Sequence, residues 1–437
     1  MLTAEENELI CRTGPNTPMG DLFRRYWLPA LLSDEVPEVD GPPVRARLMS
    51  ENLVAFRDSE GNVGLVEEAC PHRGASMFFG INDRGGLMCI YHGFKFDVTG
   101  KCLETPSAMP GSTLKEKVRI KAYPTIESAG IVWAYLGPPE KKPIFRRLDV
   151  SMAPGSHVSA TKTPVYCNYL QSLEGNIDTS HSATLHRSYG DRKPWVDDGT
   201  DQPGHPSPAL DKYVRAHSRH SRVEVQDTPY GFRAINTRMT PAGNQYIRIS
   251  NHVLPTFTLI GGHPIAPGKV QRGGWIFMIP IDDENCWRYQ VNLADEPVPP
   301  ERNRQFYEQM MDPANPRRRK LRLDNDYEID RDAQKTKFVA GIQGIPNQDY
   351  AVTESMGPIY DRTKEYLYEE DAAIIRCRQI LIRSARAVAS GEDAPCNSPE
   401  VPWDKIRSED IIIGPEEDPW TLAADAGETA ARGQRLY

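Results

Sequence analysis

The chain runs to 437 residues, 39% hydrophobic and 26% charged, with a net charge of −8, which is length enough for two domains of roughly 100–200 residues each. The negative balance argues against nucleic acid or an anionic membrane as main partner, because either selects a large basic surface. Eight cysteines in so long a chain are too sparse for a disulfide scaffold, the acidic start "MLTAEENE" reads as no secretion signal, and no apolar run approaches the about 18 residues of a membrane span, so a cytoplasmic protein is the expectation.

Residues 45–137 predict a small all-β unit. "VRARLMSENLVAFRDSEGNVGLVEEAC" alternates apolar and polar residues as two or three strands would, with a turn at Ser59-Glu60-Gly61-Asn62, and "AGIVWAYLGPP" reads as a closing strand ended by prolines. Between them stand Cys70-x-His72 and Cys89-x-x-His92, two ligand pairs in Gly- and Pro-bearing loops. Two metals suit such a set: a structural Cys2His2 zinc, or a Rieske [2Fe–2S] cluster with two thiolates on one iron and two imidazoles on the other. Zinc pairs usually keep two to four residues between ligands and put the second pair on a helix. The single-residue gap and the β-loops favour the Rieske cluster. Pro71 would stiffen one loop, Gly74 and Gly93 would let backbone amides approach the sulfurs, and Tyr91 offers a hydroxyl donor. Hydrogen bonds of that kind place the potential within about −150 to +300 mV.

From about residue 160 the pattern changes. Asp178, His181 and His186 form Asp-x-x-His-x4-His in "LEGNIDTSHSATLHRSYGD". Asp178 and His181 would share one helix face, whereas His186 lies about 140° further round at 100° per residue. If both histidines bind one ion, the helix must be irregular or end near Ser182–Leu185. Two histidines and a carboxylate make the facial triad of mononuclear non-heme Fe(II) oxygenases. "IPNQDYAVTESMGPIYDRTKE" offers Asp349 as that carboxylate, with Glu354 and Asp361 as rivals better read as surface or capping groups. Asp178 need not bind iron; it can join His181 to a cluster-ligating histidine by hydrogen bonds.

"SRVEVQDTPYGFRAINTRM", "NQYIRISNHVLPTFTLI" and "GGWIFMIPIDDENCWRYQVNLA" predict antiparallel strands. In the second of these, Tyr246, Arg248, Ser250 and His252 share one face; if it lines a substrate pocket, Arg248 can pair with a carboxylate or sulfonate. Arg215 and His263 are further polar candidates, and Phe257, Leu259 and Ile260 apolar walls. The basic run Arg317–Lys320 with Arg322 precedes Asp324, Asp326, Glu328 and Asp330, and reads as a solvated, salt-bridged loop or helix end, with docking of an acidic partner the alternative. "KEYLYEEDAAIIRCRQILIRSARAVAS" predicts a long helix closed by Gly391, and the acidic, Pro-rich stretch from 392 a wrapped or loose tail. The second domain is therefore α+β, a curved antiparallel sheet carrying helices.

With "ELICRTGPNTPMGDLFRRYWLPAL", "CPHRG", "YHGFKFD" and "QDYAVTESMGPIYDR" in view, the sequence resembles the terminal oxygenase α subunit of Rieske non-heme iron oxygenases, most closely the phthalate dioxygenase-like branch. The resemblance covers nearly the whole chain. It implies a Rieske domain over 28–145 set into a helix-grip catalytic domain built from 1–27 and 146–437. It also implies a head-to-tail homotrimer or a hexamer of two trimers, in which the cluster of one subunit passes its electron through Asp178 of the neighbour. Residue by residue it assigns Cys70, His72, Cys89 and His92 to the cluster, His181 and His186 to the mononuclear iron, and Asp349 to the third position by its place in the QD phrase. No G-x-G-x-x-G follows a strand, so NADH, the ultimate donor, would be used by a separate flavin and iron–sulfur reductase. The implied reaction is dihydroxylation of an aromatic acid with O2; the alternative is O- or N-dealkylation or methyl hydroxylation by the same iron.

Overall fold

The alternating run 44–67 folds into three antiparallel strands, Val44–Leu48, Glu51–Arg57 and Val63–Glu67, and Ala122–Tyr123 completes their sheet. The expected turn is held by Asp58, whose Oδ1 accepts from the amides of Glu60 and Asn62 at 3.0 and 2.8 Å, with Gly61 at φ +85°. A second four-stranded sheet, Ile81–Asp83, Gly86–Met88, Lys95–Phe96 and Cys102–Glu104, carries the Cys/His loops at one end. Between the two sheets Val54, Phe56, Val66, Met77, Leu87 and Phe96 are buried around Cys70 and Cys89. The closing strand, Ile131–Tyr135, lies between Trp27–Leu32 and Thr125–Ser128, and its side chains join the larger core.

That larger core belongs to an α+β unit, as the pattern predicts. The computed structural model describes residues 1–421 apart from 219, 262, 267–268, 272–273, 295, 300 and 399–400. Its main antiparallel sheet runs, edge to edge, Val158–Val165, Cys286–Leu293, Trp275–Pro280, Phe257–Leu259, Gln245–Val253, Gly231–Met239, Arg222–Thr228. The helices Ala4–Cys11 and Pro18–Arg24 pack on the helix Ala372–Ala389, which in turn covers the last two strands.

Two expectations are corrected, and one open reading is resolved. The long helix begins at Ala372 rather than near Lys364, because Glu369–Asp371 forms a 3-10 turn in which Asp371 Oδ2 accepts from the Tyr368 amide at 2.9 Å. It does end as expected, with Gly391 at φ +95° donating to Val388 O. Of the two readings of the segment after 392, the wrapped one holds: Glu409–Ile413 adds to the sheet as a strand beside Gln245–Val253. The basic run is not wholly solvated. Arg318 and Arg322 pair with Asp324, but Arg319 is fully buried, its guanidinium on Glu354 and the Pro164 carbonyl.

Candidate metal centres and substrate pocket

The two Cys/His loops share one backbone frame. In each, the cysteine amide donates to the carbonyl five residues on (Cys70 to Ala75, Cys89 to Phe94, both 2.8 Å), and a glycine four residues on donates back to the cysteine carbonyl (Gly74 2.8 Å, Gly93 2.9 Å). That closure requires positive φ, +74° and +76°, which glycine adopts without strain. The glycine amides themselves serve the cysteine carbonyls, and the turn they close brings the amides of His72 and Arg73 to the Cys70 sulfur, as expected of backbone amides there. The thiols sit inside, 2% and 3% exposed, while His72 is exposed and His92 half-buried at the rim. The imidazoles lie 4.5 Å apart between ring centres, His72 stacked on Phe94 at 4.7 Å and Tyr91 against His92 at 3.9 Å. Burial above all pushes the Cys70 thiol up to about 11, so a thiolate there needs a metal to displace its proton. Two sulfurs below and two imidazoles above fit a two-iron cluster with one thiolate-bound and one imidazole-bound iron.

The second centre starts from a helix that stops early. Tyr169–Ile177 ends at Asp178, which turns extended (φ −66°, ψ 123°), so Asp178 and His181 do not share a helix face. Glu174 anchors that last turn, held by Arg362 and Arg378. Instead Asp178 Oδ1 accepts from Ser180 N and Oγ at 2.7 and 2.6 Å, which leaves Oδ2 facing His181 Nδ1 at 3.3 Å. His181 begins a 3-10 turn that closes at Ala183, and the break after it swings His186 back. The two Nε2 atoms face each other at 3.2 Å, with Asp349 Oδ1 3.0 Å from His186 Nε2 and 3.6 Å from His181 Nε2.

Asp349 comes from the helix Ile345–Ser355, with Pro346 in its first turn. The residue before it was missed by sequence reasoning. Gln348 Nε2 donates to the Ile342 carbonyl at 2.9 Å, so its Oε1 faces His186 Nδ1, at 2.7 Å. Both imidazoles therefore carry their proton on Nδ1, toward acceptor oxygens, and aim bare Nε2 lone pairs at each other and at a carboxylate. Three such donors repel one another unless a cation sits among them; their ligand atoms lie within 4.8 Å of one another. The set fits a ferrous ion bound on one face. Burial raises the Asp178 carboxyl, but its hydrogen bonds with His181 and Ser180 outweigh that and hold it down at about 2. The rival carboxylates are elsewhere. Asp361 caps Thr363 and pairs with Lys364, and Glu354, far from being a surface group, is buried with Arg319 and Tyr327.

The metal-ligand face opens on a cavity of about 620 Å³. Arg215, Arg248 and Ile260 line it, yet both arginines are occupied: Arg215 by Asp211, and Arg248 by Asp410 in a two-pronged pair at 3.0 and 2.6 Å. Phe257 does not line it. The strand turns Phe257 into the core against Trp133 and Phe277, at 5.9 and 4.7 Å. His263 stands in the strand His263–Ala266, and its side chain lies outside the described residues. The opposite wall was not anticipated: Arg288, Gln290 and Asn292, one face of the strand Cys286–Leu293. Their alternation in "CWRYQVNLA" is the signal that marks it.

Residues 26–124 match the family model described as Rieske [2Fe-2S] domain, and residues 134–435 that described as LigXa C-terminal domain like. The chain is 38% identical to the phthalate 4,5-dioxygenase oxygenase subunit of Pseudomonas putida, over 96% of this chain and 94% of that one. It is 36% identical to the 3-chlorobenzoate-3,4-dioxygenase oxygenase subunit of Comamonas testosteroni, over 89% of each. Among solved structures, the reduced complex between oxygenase and ferredoxin in carbazole 1,9a-dioxygenase holds a chain of TM-score 0.54 and 18% identity, covering 89% of this chain and 98% of that one, a likeness of fold. No helix among the described residues is long and apolar enough to cross a membrane.

Proposed function

The chain belongs to the oxygenase components of the Rieske non-heme iron oxygenases, and from that premise we propose that it adds both atoms of O2 to the ring of an aromatic carboxylic acid of the phthalate class, giving a cis-dihydrodiol. The observation that carries this reading is a two-histidine, one-carboxylate set opening on a cavity whose walls bear arginines. When bound, the cluster relays single electrons and the ferrous ion takes up and activates O2.

On this reading Cys70, His72, Cys89 and His92 hold the cluster, and His181, His186 and Asp349 hold the iron. Asp178 and Gln348 keep the Nδ1 protons of the two histidines in place, so that both Nε2 lone pairs stay available. Ile260 and Ile276 give the ring an apolar surface, and the polar wall that carries Arg288 supplies the charge that favours an acid over a neutral arene. Binding the ring in one orientation over the metal-ligand face selects the carbons attacked.

The division into 28–145 and 1–27 with 146–437 is supported by the packing of the two N-terminal helices on the helix Ala372–Ala389. The rim position of His72 and the 24% exposure of the Asp178 side chain support head-to-tail assembly as a trimer or two stacked trimers, with the imidazole edge of one subunit on the Asp178 surface of the next. A flavin and iron–sulfur reductase would supply two electrons from NADH per turnover, in the cytoplasm. The test is O2 uptake and product analysis with benzene-1,2-dicarboxylate, NADH and such a reductase. A dihydrodiol formed one-for-one with O2 supports the reading; a dealkylated product with formaldehyde from a methoxy or N-methyl arene, and none with the diacid, assigns the alternative.

A further inference from the structure

We propose that Arg288 is the residue that anchors the substrate's carboxylate, held ready by a side-chain ladder through Gln290 to Asn292. The assignment rests on the aromatic-acid reading above and deepens it.

The two arginines that the sequence points to are poorly placed to take a ligand. Arg248 is 5% exposed and Asp410 wholly buried, and their two parallel hydrogen bonds saturate the inner edge of the guanidinium. Tyr246 Oη adds a third contact to the same Asp410 carboxylate, at 3.0 Å. A substrate carboxylate would have to evict Asp410 and leave it buried without a partner, which costs more than the new contact returns. Arg215 is tied to Asp211, itself 3% exposed and accepting from Tyr246.

Arg288 differs in each respect. It is half-buried on the cavity wall, and among the described residues no carboxylate lies within ion-pair distance of it. Its Nη1 donates to Gln290 Oε1 at 2.7 Å, and Gln290 Nε2 donates to Asn292 Oδ1 at 3.0 Å. The ladder has a direction: each amide oxygen accepts from the Arg288 side, and the Gln290 amide nitrogen donates onward to Asn292. The guanidinium is thereby fixed through one of its five N–H groups.

Backbone structure shows that this ladder is built into the fold. Gly274, across from Asn292 on the neighbouring strand, has no room for a side chain: a Cβ there would lie 2.3 Å from Asn292 Oδ1. One step along, Ile276 pairs with Gln290 and lines the same cavity. An apolar surface for a ring thus adjoins a fixed cation, the arrangement an aromatic acid needs and a neutral arene does not.

The test uses the holoenzyme and equilibrium titration calorimetry with benzene-1,2-dicarboxylate, benzoate and benzamide. Arg288→Gln is expected to weaken dicarboxylate binding about 10- to 100-fold and to leave benzamide binding unchanged, with KM raised and kcat kept at saturation. Arg288→Lys keeps the charge but not the fork and should recover part of the loss. Gln290→Leu, with Arg288 intact but unsupported, should lose less than Arg288→Gln. Iron content and the cluster's optical spectrum, equal to wild type in each variant, certify the fold. Unaltered dicarboxylate affinity in Arg288→Gln overturns the assignment alone. A wild type that binds no aromatic acid overturns the aromatic-acid reading and the assignment with it.

Discussion

His181 and His186 present the same atom to the same point but are backed differently. Asp178, a full carboxylate, accepts from His181 Nδ1; Gln348, a neutral amide, accepts from His186 Nδ1. Replacing Gln348 with Leu leaves His186 free to change tautomer and rotate. We expect Co(II) affinity at the mononuclear site, read from its visible spectrum, to fall about 10- to 100-fold while cluster content stays whole. Gln348→Glu should weaken binding less. A second residue-scale expectation concerns His252, which is 1% exposed and whose burial pushes its pKa from the ordinary 6.5 down to about 3. The folded chain keeps it neutral, whereas the unfolded chain protonates it below pH 6.5. Stability is therefore full above 6.5 and falls, by up to about 1.4 kcal/mol per pH unit, as pH drops from 6.5 toward 3. His252→Phe should flatten the pH dependence of the thermal midpoint between 6.5 and 4.5. At this scale the residues that the structure brings together were legible, since Cys-x-His and His-x4-His are rare spacings. Gln348 was not, because an amide on a helix has no spacing that marks it and its partner is 162 residues away.

Elements set what those residues can reach. The helix Ile345–Ser355 brings Gln348 and Asp349 to the histidines, and it is pinned at its far end by Glu354. There Arg319 and Tyr327 donate to the carboxylate together with the Tyr166 amide, all in the protein interior. Glu354→Ala strips Arg319 of its counter-charge where water cannot replace it. We expect a loss of about 3–5 kcal/mol in denaturant unfolding, with lower iron retention at the mononuclear site as the helix loosens. The sequence marks Glu354 as a surface carboxylate because its partner belongs to a basic run that looks solvated; only the packing of the helix Ile345–Ser355 against the segment 319–328 buries both. The same holds for Arg248 and Asp410. Their strands are adjacent only in space, so the charge of Arg248 reads as available when it is not. Local elements fared better: the strands at 44–67, 222–259 and 275–293 follow their alternation closely, and the long helix starts about two turns late, past an acidic 3-10 turn.

For the whole molecule, the proposed assembly makes each reaction the work of two chains. Subunits carrying Cys70→Ser lack a cluster, and subunits carrying His181→Ala lack the mononuclear iron; neither preparation turns over alone. Co-expressed, they should regain activity if the electron crosses between chains, and should stay inactive if it travels within one. Asp178→Asn, in an oligomer with both centres loaded, should slow single-turnover oxidation of the reduced cluster at least tenfold, because the carboxylate linking His181 to the protein surface is gone. Sedimentation fixes the number of subunits.

The twin frame of the cluster loops has a consequence for how such a protein is made. Each loop is closed by its own two backbone hydrogen bonds and its own positive-φ glycine, using no atom of the cluster. From these bonds we expect the nest to form as the newly synthesised chain folds, so that assembly follows the order scaffold first, cargo second. Chain grown without iron should collect as a folded, colourless stock that turns red-brown when a cluster-donating scaffold protein is supplied, with no refolding between.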